Sequence, residues 1–367
     1  MPSSLHQVLA AQPLSASAPC RIDMGGTLDI STFHLPLRRH APCTVNLAMA
    51  LRTRVDLQPY SEGQVKVSSR GFESAVFPTN RAPFRHPLGL MFAIAAFFDA
   101  DGVHIRIDSA SPPRSALGGS SAAAVALVAA LQAAAERAGT KRRLSRREIA
   151  LLAHAIEASV AGVPCGVQDQ LAAAFGGVNV WHWLSGFGEP AFRKEALPAM
   201  PGDEALADHL LVAYCGVPHE SKDVNGRWVR QFLAGKKRAS WEEIAALTRQ
   251  FAAALFARDF EAAADAMNRE TAVRQELTPE VLDPTGEKLV AAAIDARCGA
   301  RFTGAGGGGC LWALGPQAAI QRLAPVWRRI LDAVADAGLL PPRIDTRGVA
   351  VEAPDPENGG WRGPPAS

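Results

Sequence analysis

The run PPRSALGGSSAAAVALVAALQAAA, residues 112–135, places two prolines, a small flexible turn and two serines directly before an alanine-rich helical pattern. A helix start needs one capping side chain, yet Gly118, Gly119, Ser120 and Ser121 stand in succession before Ala122. The first four amides of a helix have no internal partner, and the aligned peptide dipoles put partial positive charge there. Glycines that let a ligand approach that backbone make an anion site suited to a phosphate. A serine-capped helix after a Pro-Gly loop is the competing reading.

A second glycine cluster, RFTGAGGGGC at 301–310, satisfies G-x-G-x-x-G through Gly304, Gly306 and Gly309. The dinucleotide fingerprint needs a strand before it and a helix after it. Here the pattern reads as a helix before and the strand-like CLWAL after, so that assignment is rejected. No G-x-x-x-x-G-K-[ST] occurs, which excludes a P-loop. Two acids remain as candidates for proton or metal chemistry. Asp169 lies in CGVQDQLAAAFGG, where an N-cap for a helix over 170–175 is its simplest role, and Glu157 lies on the preceding helical pattern.

These residues need elements to hold them. Alternation and β-branched enrichment predict strands at 43–60, 64–69 and 103–109, and VNVWHWL at 178–184 reads as another after Gly176-Gly177. Helices are expected over 122–138 and over 146–160, the latter behind a capping box of Ser145 and Glu148. The Gly-, Pro- and Ala-rich stretch 185–205 reads as a domain boundary. Beyond it the pattern predicts strands at 208–217, 310–314 and 349–352, and helices at 241–255, 259–274, 286–297 and 317–337. Trp181 and Trp183 alternate on their strand; at least one is read as core, with a weaker link to an adenine pocket.

At 367 residues, 48% hydrophobic and 20% charged, the chain can bury a sizeable core, most naturally as two domains. The formal charge is +2 and KRRLSRR at 141–147 is the densest basic patch, so nucleic acid is not favoured. The six cysteines include no CxxC pair and are too sparse for a disulfide framework, which points to a reducing compartment, the cytoplasm. The first twenty residues lack a charged start followed by an apolar stretch, and no run of eighteen apolar residues occurs. Neither secretion nor membrane spanning is therefore expected.

Taken together, the phosphate-loop-like turn, the late Thr-Gly-Ala-Gly-Gly-Gly-Gly loop and APCRIDMGGTLD at 18–29 resemble the three ordered motifs of the GHMP kinases. That superfamily includes galactokinase, homoserine kinase, mevalonate kinase and phosphomevalonate kinase. The resemblance covers about residues 17–352. Gly25-Gly26-Thr27, QDQLAAAFGG and MNRETAVR at 267–274 are most similar to its sugar-kinase side, the heptose-phosphate kinase branch. It implies a two-domain α+β fold. The N-terminal half would resemble the second domain of a small-subunit ribosomal protein, and the C-terminal half would be ferredoxin-like. The boundaries that follow are a flexible 1–16, an ATP-binding domain over 17–200, a C-terminal domain over 205–352 and a disordered tail over 353–367.

The resemblance also implies roles. Ser115, Leu117, Gly118, Gly119, Ser120, Ser121 and Ala122 would hold the ATP phosphates, and Ser121 and Glu157 would hold Mg²⁺. Asp169, in a G-x-x-D-Q context from Gly166 to Gln170, would be the catalytic base, with Arg21 as its charge partner. Gly26, Thr27, Asp29, His219, Ser221, Gly304, Ala305 and Gly306 would form the acceptor site, with Asp29 one residue nearer Arg21 than in the sugar kinases. Arg114 and Ala116 stand where closer sugar-kinase relatives have glycine, which makes a stiffer loop and leaves Arg114 either facing solvent or touching a phosphate. The implied function is ATP-dependent, Mg²⁺-assisted phosphorylation of a hydroxyl on a sugar or sugar phosphate, including the anomeric hydroxyl of a heptose 7-phosphate. Arg38, Arg39, Lys222 and Arg227 would be the cations for such a phosphate. The partners would be ATP and a small polyhydroxylated acceptor, with no nucleic acid and no membrane, in a monomer or homodimer. A kinase for a non-sugar alcohol and a catalytically silent ligand-binding relative are the alternatives.

Overall fold

The computed structural model describes residues 4–139, 142–185, 191–198, 204–218 and 224–352. A mixed sheet is built from β1 (Leu14–Met24), β2 (Cys43–Pro59), β3 (Gln64–Ser69), β4 (Ala75–Pro78), β5 (Val103–Ser109), β6 (Val178–Leu184) and β7 (Ala191–Ala196). The long β2 organises it, pairing antiparallel with β1, β5 and β6. β2 changes character midway: Cys43–Met49 are buried without interruption, whereas Leu51 to Leu57 alternate. A strand covered on both faces reads as a continuous buried run, and one covered on a single face alternates.

Helices α1 (Leu5–Ala11), α2 (Ser31–His34), α3 (Gly89–Phe97), α4 (Gly119–Arg137), α5 (Arg146–Val160) and α6 (Gln168–Phe175) accompany this sheet, and α4 and α6 pack on β1 and β2. The alanines of α4 are nearly all buried, so the helix sits close to the strands beneath it. It is also the one helix among the described residues long and apolar enough to cross a membrane, and 72% of its apolar window is inside the core. The expected capping box of α5 is present, with Ser145 and Glu148 exchanging bonds.

The second half carries α7 (Glu204–Ala207), β8 (Leu210–Tyr214), α8 (Val224–Leu233), α9 (Arg238–Ala257), α10 (Phe260–Leu277), α11 (Pro284–Asp295), β9 (Gly299–Phe302), β10 (Cys310–Leu314), α12 (Gln317–Leu331) and β11 (Gly338–Leu340). Its sheet is antiparallel in the order β11-β8-β10-β9. The two halves make the α+β architecture expected from the motifs.

Four expectations are corrected. Residues 5–16 are not a flexible lead-in: α1 buries Leu9, and β1 begins at Leu14. The helix expected over 317–337 ends at Leu331, before β11. The late glycine loop is preceded by β9 rather than directly by a helix, so it is a hairpin loop between antiparallel strands, and still no dinucleotide turn. The C-terminal segment leaves its own half: β12 (Ala350–Glu352) pairs with β1 in the first sheet, since Arg52 binds Ser17, Asp345 and the Gly348 carbonyl and so clips the returning chain down. The tail over 353–367 lies outside the described residues.

A buried ionic network joins the halves beneath the site. Arg301 on β9 donates to Glu270 at 2.8 Å and to Asp23 at 3.2 Å, and Arg274 donates to Glu270 at 2.9 Å. All four side chains are fully buried. Arg274 also donates to the Gly26 carbonyl at 2.7 Å, fastening the first motif to α10.

Candidate active site

The start of α4 is bare. Its N-cap is Gly118, in left-handed backbone at φ 73°, and no side chain caps the helix. The serine-capped reading of this turn is therefore wrong, and the amides of the first turn remain for a ligand. Gly118 is required twice over. A Cβ there would suffer in left-handed backbone and would lie 3.1 Å from Asp169 Oδ2.

Asp169 faces that turn from the first turn of α6. The N-cap of α6 is Val167, so Asp169 does not cap the helix as the simplest sequence reading had it. Its carboxylate is held by a fork: Arg21 Nε donates to Oδ1 at 2.8 Å and Nη2 to Oδ2 at 3.0 Å. Arg21 Nη1 donates to the Ala116 carbonyl at 2.7 Å. Burial works against the Arg21 charge, but Asp169 and Asp23 outweigh it and hold its pKa above the ordinary value.

Behind them stand two more acids. Glu157, half-buried on α5, accepts from Ser121 Oγ at 3.0 Å and also from Gln170 Nε2. Asp29 is buried and accepts the Gln168 amide at 3.0 Å. Its carboxylate occupies the space of a missing side chain: a Cβ on Gly166 would lie 1.7 Å from Asp29 Oδ2, which explains the glycine of the G-x-x-D-Q stretch. Burial, with the nearby charge of Asp169, pushes both Glu157 and Asp29 up to about 7.

Two cavities meet here. A polar one of about 220 Å³ is lined by Arg21, Thr27, Asp29, Asn225, Gly304 and Ala305 among others. A larger one of about 760 Å³ runs past the phosphate-loop residues to Phe72, Leu88, Leu90, Met91 and Ile107. Ala116, Gly118, Ser121, Glu157 and Asp169 line both.

Comparison with known proteins places this arrangement. The model of the GHMP kinases N terminal domain matches residues 88–177, and that of the GHMP kinases C terminal matches 251–333. The chain belongs to the GHMP kinases. Its relatives include a mevalonate kinase of Pyrococcus horikoshii, 25% identical over 371 residues and covering 92% of this chain and 97% of that one. The fold is shared with a Lactococcus lactis galactokinase complexed with galactose, at TM-score 0.69 and 16% identity over 95% of this chain and 97% of that one. It is shared equally with a D-glycero-D-manno-heptose 1-phosphate kinase from Bacteriodes thetaiotaomicron, at TM-score 0.68 and 15% identity over 93% and 99%. As a GHMP kinase the protein is an ATP-dependent phosphotransferase acting on an alcohol.

Within this GHMP kinase the expected residues divide. Ser115, Gly118, Gly119, Ser120 and Ser121 line the larger cavity. Leu117 and Ala122 do not: both side chains are fully buried, the Leu117 carbonyl accepts the Arg21 amide, and the Ala122 amide is spent on the Gly118 carbonyl. Thr27, Asp29, Gly304 and Ala305 line the smaller cavity. Gly26 and Gly306 lie behind its wall, Gly26 against Asp23 and Gly306 against Val281 and Phe302. His219, Ser221 and Lys222 lie outside the described residues. The late loop packs on the phosphate loop, the Cys310 amide donating to the Ser115 carbonyl at 2.9 Å. Trp181 and Trp183 are both core, Trp183 Nε1 donating to Thr44, and neither lines the larger cavity.

Sequence reasoning did not single out Gln168 and Gln170, although both stand in the quoted G-x-x-D-Q stretch and line the smaller cavity. Asp23, inside the first motif, was also passed over. It accepts the Gly304 amide at 2.8 Å and so ties the late loop to β1.

Proposed function

We propose that the protein transfers the γ-phosphoryl group of Mg·ATP to a hydroxyl of a sugar seated in the smaller cavity. The observation that carries this reading is the shared wall. A triphosphate in the larger cavity and a hydroxyl in the smaller one would meet at Asp169. The nucleoside lies among Phe72, Leu88, Met91 and Ile107, and the phosphates lie against the amides of Gly119, Ser120 and Ser121. Asp169, oriented by Arg21, takes the acceptor's proton as the acceptor oxygen bonds to the γ-phosphorus and the bond to the β–γ bridging oxygen breaks.

Ser121 and Glu157 fit Mg²⁺ because they offer neighbouring oxygen donors and Glu157 carries a charge that burial disfavours. Among the described residues no trio of His, Cys, Asp or Glu forms a metal site alone, so an ion held by Ser121 and Glu157 would also need ligands from the nucleotide's phosphates. Bound there, the ion neutralises phosphate charge.

The described wall of the smaller cavity sets Asp29, Glu157 and Asp169 against Arg21, whose fork is already engaged. Such a wall suits neutral hydroxyls better than the carboxylate of mevalonate or homoserine. Asn225 Oδ1, buried and without a partner among the described residues, is a ready acceptor for one of those hydroxyls. A phosphate on the sugar finds less support. Arg227 pairs with Glu280 at 3.4 Å, and Arg38 and Arg39 are exposed on a short helix outside the wall.

The test is ADP release with ATP against hexoses, heptoses, their phosphates, homoserine and mevalonate. The match to a mevalonate kinase makes the last comparison essential. A hexose or heptose is the expected best acceptor, and a strong preference for mevalonate or homoserine overturns the sugar reading.

A further inference from the structure

Arg114 and Ala116 both sit in left-handed backbone, at φ 54° and 60°. A side chain is costly there, and glycine is the usual occupant. For Ala116 the conformation has a visible use, since its carbonyl receives Arg21 Nη1 at 2.7 Å. Arg114 has no such fastening. Its side chain makes no hydrogen bond or ion pair among the described residues, and it lines the larger cavity at the head of the phosphate loop. Strain held at a binding loop argues for what the side chain does there.

The charge of that cavity points the same way. Its described acids, Glu157 and Asp169, lie at the end shared with the smaller cavity, while Arg70 and Arg114 line it beside the loop. The two arginines come from different segments brought together by packing: a Cβ on Gly71, next to Arg70, would lie 3.5 Å from Pro113 Cγ. The loop over 112–121 contains no lysine, so beside its backbone amides and serine hydroxyls Arg114 is the one cationic side chain it offers to a polyanion.

We infer that Arg114 is a side-chain ligand of the nucleotide's phosphates, with Arg70 on the facing segment, and that left-handed strain is retained because glycine cannot supply the charge. The inference rests on the seat for ATP proposed above.

Calorimetric affinities for ATP and for adenosine, with melting temperatures, on wild type, Arg114→Gly and Arg114→Lys test it. Arg114→Gly should lose about tenfold in ATP affinity, keep its affinity for adenosine and melt no lower than wild type, because glycine relieves the strain. Arg114→Lys should bind ATP more tightly than Arg114→Gly. Unchanged ATP affinity in Arg114→Gly, or equal losses for ATP and adenosine, overturns the role of Arg114 and leaves the kinase reading standing. A wild-type protein that binds no ATP overturns both.

Discussion

Arg21 holds Asp169 at both carboxylate oxygens, 2.8 and 3.0 Å away, while its backbone amide donates to the Leu117 carbonyl and its remaining guanidinium nitrogen to the Ala116 carbonyl. One residue of β1 thus fixes the acid on α6 relative to the loop that opens α4. Removing rotational freedom from the group that must meet the acceptor hydroxyl is what such a fork provides.

Gly166→Ala should damage the acceptor side alone. The new Cβ would fall 1.7 Å from Asp29 Oδ2, so the carboxylate must leave its place on the Gln168 amide. Overpacking of this kind costs about 1–3 kcal/mol of stability. The acceptor KM should rise by about tenfold or more, with ATP affinity preserved. Steady-state kinetics beside calorimetry would show it, and an unchanged acceptor KM would place Asp29 outside the acceptor site.

Stability should fall as pH rises through the range in which Asp29 and Glu157 titrate. Both are pushed up to about 7 from ordinary values of 3.8 and 4.5. Between those limits the folded chain keeps protons that the unfolded chain has released. The stabilisation from these two acids is therefore complete below the unfolded values and lost by about pH 7. Glu157→Gln removes one of them, so its melting temperature should decline less than that of wild type between about pH 5 and about pH 8. Parallel curves would show that Glu157 does not carry the shift.

Glu270→Gln should be severely destabilising. Glu270 is the anion between Arg274 and Arg301, and all three are fully buried. Removing one partner from a buried ion pair typically costs about 3–5 kcal/mol, because the charge left behind is uncompensated. Denaturant unfolding measures this directly, and a loss below about 1 kcal/mol would mean that water or a rearranged Asp23 takes over the role of Glu270.

Much of this molecule is legible in its sequence where the signal is local. The capping box of α5, the alternating half of β2 and the glycine-to-helix turn before α4 are all written within a few residues. β1 is not: APCRIDM mixes proline and charge with apolar residues, and its complete burial comes from α4 and α6 packed against it and β12 returning to pair with it. Glu270 and Arg274 stand one helical turn apart in MNRETAVR, and only long-range packing buries them. A shared motif groups Leu117 and Ala122 with the phosphate ligands, because it shows neither that the Leu117 side chain is fully buried nor that the Ala122 amide is spent on the Gly118 carbonyl. The left-handed backbone of Arg114 and the walls contributed by Phe72 and Met91 depend on the assembled fold.

The turnover of Asp169→Asn, measured with the best acceptor from the sugar screen on protein whose ATP affinity is determined in parallel, tests the central claim most directly. The substitution keeps the shape of the side chain and leaves the phosphate loop intact, but removes the oxygen that takes the proton. ATP affinity should stay within about threefold of wild type while kcat falls by roughly 10² to 10⁴. Turnover near the wild-type rate would contradict the assignment of Asp169 as the base.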